Sequence, residues 1–300
     1  MVAFENSRRH MGRSGSDATA FLRKWGTQFG LYAAVLILAA AFGLPFVWAG
    51  LTSLKQPIEI FVFPPQWLPA SPQWYNYVEI FQRAPLATFF FNSVVVTCLT
   101  IVGQIISASL VAYGFARFRF PGRDILFVVM LSTLMLPPQV TIIPTFLLFK
   151  ALGWLDTLKP LFVPAYFGGG AFAIFLFRQF FMTIPKELDE AAKIDGANSL
   201  WVFARVLVPL SKPVFTAMAI FAFLASWNDF FGPLIFLNTT EKFTLSLGLT
   251  YFQRVASIGG LPKEHLLMAA AMVMTFPCFL VFVLLQRYWV RGVVMSGLKG

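Results

Sequence analysis

The chain is poor in the residues that most chemistry needs. Among its 300 residues are two cysteines, two histidines and 13 acids. Cys98 and Cys278 each lie inside a long apolar run without metal-ligand spacing, and His10 and His265 have no second ligand at helical spacing. A metal centre is therefore not expected, and both cysteines read as small buried hydrophobes. No Gly-x-x-x-x-Gly-Lys-Ser/Thr phosphate cradle occurs, since Gly292 to Lys299 lacks the required ending. The chain is not expected to hydrolyse a nucleotide on its own. Charged residues make up only 12%, too few for the solvated exterior of a soluble domain. The excess of Lys and Arg gives a net charge of +10, but there is no polar domain on which it could form a nucleic-acid footprint.

What is abundant is apolar. Hydrophobic residues are 58% of the chain, and six runs reach the roughly 20 residues needed to cross a bilayer as a helix. They cover 28–52, 86–113, 124–149, 158–184, 213–238 and 264–288. The first follows a basic segment, but it is too long for a signal-peptide core and lacks a convincing cleavage site, so it reads as an uncleaved span. The expected fold is an all-α integral membrane protein of six transmembrane helices. The segment 1–27, with its Gly, Ser and Arg, reads as a flexible tail, and 289–300 as a second tail.

Orientation follows from where the basic residues fall. Sixteen of the 23 Lys and Arg sit in one alternating set: the N-terminal segment, Arg117 to Arg123, Arg178 to Lys212, and the C-terminal segment. Basic residues are retained on the cytoplasmic side during insertion, so both termini are expected there. The opposite side receives two long loops, 53–85 and 239–263. The first carries Trp67, Trp74, Tyr75 and Tyr77, residues suited either to anchoring in the headgroup zone or to a platform for an outside partner.

The segment from Pro185 to Lys212, on the cytoplasmic side, is too charged to cross and longer than a plain connector. Pro185 opens a short helix, Glu187, Asp189 and Glu190 suit its positive N-terminus, and Gly196 can take the left-handed conformation that ends it. Asn198 or Ser199 can cap a second helix, in which Leu200, Phe203, Ala204 and Leu207 recur with helical period as one apolar face up to Pro209. Ala191 and Ala192 leave little bulk, so a partner's groove can approach the backbone; packing on the chain's own spans is the plainer alternative.

Glu190-Ala191-Ala192, three residues, Gly196, nine residues and Val206-Leu207-Val208-Pro209 together resemble the EAA motif of ABC importer permeases, with Val206 and Val208 as conservative apolar exchanges. The resemblance extends over nearly the whole chain from the first span onward. Ala112-Tyr-Gly-Phe-Ala-Arg117, Ser226-Trp227-Asn228-Asp229-Phe230 and the C-terminal stretch from Gln286 to Gly300 are similar to the second permease subunit of maltose-type carbohydrate uptake systems. That resemblance implies a second homologous permease, two ATPase subunits that bind ATP and Mg, and an extracytoplasmic sugar-binding protein. It implies location in a bacterial or archaeal cytoplasmic membrane and assigns Glu190, Ala191, Ala192, Asp195, Gly196, Val206, Val208 and Pro209 to ATPase coupling.

Asp229 is the one acid deep in an expected span, with Trp227 and Asn228 beside it. A carboxylate in the membrane should face a water-filled cavity or a partner group. The three residues are candidates for a sugar pathway, amide and carboxylate for hydroxyls and Trp227 for a ring face; a structural hydrogen bond is the alternative. Pro137, Pro138 and Pro144 and the run Gly168 to Gly170 interrupt the third and fourth spans, as pathway-lining broken helices do, although close packing of ordinary membrane helices is the favoured account. An ion-gradient-driven secondary transporter is the competing class. The single deep acid and the absence of an evident inverted repeat argue against it.

Overall fold

The computed structural model describes residues 3–256 and 263–297, with side chains for 27–137, 139–252 and 263–286. The middle of the expected 239–263 loop, the last three residues with Lys299, and the side chains of His10, the N-terminal arginines, Arg254, Arg287 and Arg291 lie outside the described residues. Every regular element among the described residues is helical.

In chain order the helices are α1 Ala3–Ser53, α2 Asn76–Arg83, α3 Leu86–Arg117, α4 Arg123–Ser132, α5 Pro138–Ala151, α6 Lys159–Phe162 and α7 Ala171–Thr183. They continue as α8 Glu187–Ile194, α9 Ser199–Val202, α10 Val208–Leu210, α11 Lys212–Trp227, α12 Phe231–Phe236, α13 Leu245–Ala256 and α14 Glu264–Gly297. Four stretches, 27–53, 86–117, 159–183 and 264–286, are long and apolar enough to cross a membrane, and there are up to six if each of two bent pairs is one span. Much of the outer surface is apolar: Phe42, Ile37 and Leu36 on α1 and Ile125 on α4 are well exposed, as expected where hydrocarbon replaces water as solvent.

The N-terminal segment, expected as a flexible tail, is helical from Ala3 as part of α1. The third and fifth expected spans are broken. Pro137 and Pro138 lack the backbone donors a continuous helix needs, so α4 gives way to a short 3-10 turn and α5 starts afresh at Pro138. The stretch 213–238 holds α11, a break at 228–230 and the short α12. Cys98 is exposed rather than buried, and Cys278 is intermediate.

The second loop is also not a loop throughout. Leu245, Leu247 and Phe252 of α13 are buried, Leu245 and Phe252 in a cluster with Phe89 of α3 and Leu266, Ala269 and Ala270 of α14. Its start is fixed by Ser93, whose hydroxyl accepts from the Leu245 amide at 2.7 Å. A search for runs of spanning length passes over a helix of this size.

At its centre α3 packs against α7 and α11. Gly169 permits this contact: it has φ +67°, and a Cβ there would lie 2.7 Å from the Gln104 carbonyl and 2.8 Å from the Ala108 Cβ. The Ser107 hydroxyl donates to the Ala165 carbonyl at 2.7 Å across the same contact. At this glycine the close-packing reading is the one the geometry supports.

Candidate functional site

The turn between α8 and α9 is built as the sequence suggests. Gly196 has φ +85°, its amide donates to the Lys193 carbonyl at 3.0 Å, and the Ala197 amide donates to the Ala192 carbonyl at 3.0 Å. These two bonds close a Schellman turn, in which a left-handed glycine satisfies the last carbonyls of α8. Asn198, rather than Ser199, caps α9: its Oδ1 accepts from the Trp201 amide at 2.8 Å.

The apolar face expected of the second helix is different in register. Phe203–Leu207 form a π-turn, which adds a residue to the turn and shifts the side chains that follow. Val202 and Leu207 are fully buried with Phe177, Phe181, Ala112 and Ala116. Leu200 and Ala204, expected on the buried side, are exposed. The buried face runs through Val202, Val206 and Leu207 instead, so the loop is folded back onto the ends of α3, α7 and α11.

Among the residues matched to the motif, Glu190, Ala191, Asp195, Gly196 and Pro209 lie exposed, while Ala192, Val206 and Val208 are half-buried. Ala192 packs against the same cluster as Val206, so its small size serves contact within the chain and only Ala191 presents a small residue outward. On the same helix Ile194, and on α9 Leu200 and Trp201, are 86%, 68% and 50% exposed. These bare apolar side chains were not singled out by periodicity, because they belong to two helices on either side of a turn.

Sequence reasoning also missed what holds the loop. Asp189, counted above only as an acid at a helix start, is 6% exposed, and its Oδ2 lies 2.6 Å from Nε of Arg117. The Arg117 Nη2 donates to the Ile184 carbonyl at 3.1 Å, and the Tyr113 hydroxyl donates to the Ser199 carbonyl at 3.1 Å. No spacing rule joins residues so far apart in the chain.

The second candidate group comes apart in space. Trp227 is 3% exposed, stacked on Phe223 and edge-on to Phe90, and its Nε1 donates to the Met274 carbonyl at 3.1 Å. It is a packing residue and offers no ring face to a ligand. The Asn228 amide turns back to the Leu224 carbonyl at 2.9 Å. Asp229 lies in the break after α11, where its Oδ1 accepts from the Gly232 amide at 3.1 Å and so starts α12. It also lines a cavity of about 210 Å³ with Thr100, Gln104, Ser226 and Thr244. The two readings of this acid are therefore compatible.

The far ends of the helices are tied by Asp156, which has φ +54°. Its carboxylate accepts from the Asn238 and Thr239 amides at 3.0 and 2.9 Å and from Lys242 Nζ at 2.8 Å. Lys242, then Thr239 and Asn238, hold this carboxyl well below the usual carboxylate range. The bonds join the α5–α6 connection to the segment leading into α13. In the 53–85 segment Lys55 is buried, with Nζ 4.5 Å over the Trp48 ring, and Trp67 packs edge-on to Trp48 at 5.0 Å.

Comparison with known proteins places the chain in a family. Residues 104–295 match the family described as the binding-protein-dependent transport system inner membrane component. The chain is 32% identical over 282 residues to the probable ABC transporter permease protein YurM of Bacillus subtilis, covering 93% of this chain and 91% of that one. It is 36% identical over 266 residues to the sn-glycerol-3-phosphate transport system permease protein UgpE of Pectobacterium atrosepticum, covering 87% and 92%. It is 34% identical over 226 residues to the arabinooligosaccharides transport system permease protein AraQ of Bacillus subtilis, covering 75% and 78%. A crystal structure of a bacterial ABC transporter that imports the acidic polysaccharide alginate contains a chain of the same fold, with TM-score 0.76 and 24% identity over 87% of this chain and 96% of that one. Matched over most of its length and with the helices to cross a membrane, this chain belongs to the binding-protein-dependent inner-membrane components, the permease subunits of ABC importers.

Proposed function

We propose that this chain forms half of the translocation pathway of an ATP-driven importer for a carbohydrate or a similarly polyhydroxylated solute, and that its 185–212 loop couples it to an ATPase subunit. The observation that carries this reading is the loop itself. A Schellman turn fixes two short helices against the ends of their own spans and leaves Glu190, Ala191, Ile194, Leu200 and Trp201 facing outward. Exposed apolar side chains on a helix pair are the kind of surface a groove accepts. Gly196 sets the angle between the two helices, and Val206, Val208 and Pro209 lead from these side chains into α11.

In this reading ATP and Mg are bound by two separate ATPase subunits, which contact the loop from the cytoplasmic side, where both termini also lie. A second homologous permease completes the pathway, and an extracytoplasmic binding protein delivers the solute. The solute class is supported by the names of the relatives, which handle arabinooligosaccharides and glycerol 3-phosphate. It is supported too by the cavity at Asp229, whose Thr, Gln and Ser neighbours suit hydroxyl groups.

The test is uptake by proteoliposomes holding the purified complex, with the solute taken from the cognate binding protein. Uptake should require internal or external ATP on the ATPase side and persist when proton and sodium gradients are collapsed. Uptake driven by a gradient without ATP would overturn the reading in favour of a secondary transporter.

A further inference from the structure

We propose that Arg117 and Asp189 form a latch that makes α3 move with the coupling loop, so that motion imposed on the loop reaches the Asp229 cavity through α3. The inference rests on the proposed docking of an ATPase at this loop.

In sequence the loop is joined only to α7 and, through α9 and α10, to α11. The helix α3 has no chain connection to it: Arg117 precedes Asp189 by 72 positions. Yet the last turn of α3 holds both loop helices. Arg117 meets Asp189 of α8 at 2.6 Å, with side-chain exposures of 5% and 9%, and also holds the Ile184 carbonyl at the entry to the loop. One turn earlier Tyr113 holds the Ser199 carbonyl at the start of α9.

A buried ion pair contributes little net stability compared with an apolar pair of the same size, because both charges must leave water. What it supplies is position: separation of two buried charges is strongly opposed, and a guanidinium has few acceptable placements opposite one carboxylate. The Asp189 Oδ1 and the Arg117 Nη1 are also buried without hydrogen-bond partners. If the pair is pulled apart, Asp189 loses its ion partner and Arg117 keeps only the Ile184 carbonyl, so sliding of the loop along α3 is opposed.

The other end of the lever is the cavity. Val96, Thr100 and Gln104 of α3 line it together with Asp229. Gln104 lies 13 residues before Arg117, roughly 20 Å along a helix rising 1.5 Å per residue. A rigid α3 thus converts a displacement of the loop into a displacement of the cavity wall, a shear of packed helices. Arg117 and Asp189 act through α3 and are positioning residues.

The experiment uses the complex of this chain, its partner permease and the ATPase subunits, with Cys278→Ala and Arg205→Cys introduced. Spin labels sit at the native exposed Cys98 on α3 and at position 205, exposed on the loop. Their separation is measured by pulsed electron resonance without nucleotide and after trapping with Mg-ATP and vanadate. With Arg117 and Asp189 intact, the separation should stay the same in both states. With Asp189→Asn it should differ between the states by several ångströms, and the exchange Arg117→Asp with Asp189→Arg should restore constancy.

A separation that changes with the pair intact, or stays constant with Asp189→Asn, overturns the proposal. Loss of ATPase from the Asp189→Asn complex also overturns it, because the pair would then serve assembly. Failure of the unaltered chain to co-purify with an ATPase is a different result, and strikes the docking reading itself.

Discussion

At the level of single residues, Gly196 is constrained by its backbone. Its φ of +85° lies in the left-handed region, where a side chain costs about 1–2 kcal/mol, although open space surrounds the site a Cβ would occupy. Gly196→Ala is therefore expected to keep the chain in the membrane while weakening retention of the ATPase on purification; Gly196→Pro, which cannot adopt a positive φ, should abolish it. Trp227 is the opposite case, buried and hydrogen-bonded to Met274. Trp227→Ala should destabilise the purified chain by about 3–5 kcal/mol, measured by thermal unfolding in detergent. Asp156 gives a pH prediction. Its carboxyl is held below the usual carboxylate range by Lys242, Thr239 and Asn238, so its contribution is fully present above the unfolded pKa of about 3.9. It is lost progressively as pH falls from that value towards the lower folded one. Between about pH 7 and pH 5 the unaltered chain should gain no instability from this carboxyl, and Asp156→Asn should lower the unfolding temperature throughout that window.

At the level of elements, much of the architecture was legible, and the failures have physical causes. Long apolar helices over most of 28–52, 86–113 and 264–288 were readable because twenty apolar residues have few other fates in water. Gly196 and Asn198 marked the loop because caps depend on local chain geometry, whereas Pro185 lies just before α8, which starts at Glu187 after Lys186. The π-turn at Phe203–Leu207 was not readable from period alone, and the side chains buried around it are Val202 and Leu207 rather than Leu200 and Ala204. The latch between Arg117 and Asp189 was equally invisible, because it joins residues that only the fold brings together. Asp229 shows a further limit: its depth in a run was plain, but not that the helix ends just before it. As a start for α12, Asp229→Ala should lower stability by about 1 kcal/mol. Asp229→Asn retains an acceptor for the Gly232 amide and should be close to neutral in the same unfolding measurement.

For the molecule as a whole, two sets of ties sit at opposite ends of the helices. At one end Arg117, Tyr113 and the Schellman turn hold the loop; at the other Asp156 and Lys242 brace the connections around α6 and α13. Between them α3 runs past the cavity at Asp229. Such a body suits a subunit that relays displacement from a partner at one end to a pathway at its middle, and it concentrates the account on whether the 185–212 loop meets an ATPase. The most direct measurement replaces Ile194, 86% exposed on the loop, with a photoreactive phenylalanine analogue in intact membranes, with Phe63, 91% exposed at the far end, as the control. Light should produce an adduct with an ATPase subunit from position 194 and none from position 63. No ATPase adduct from position 194, or equal adducts from both positions, would contradict the account.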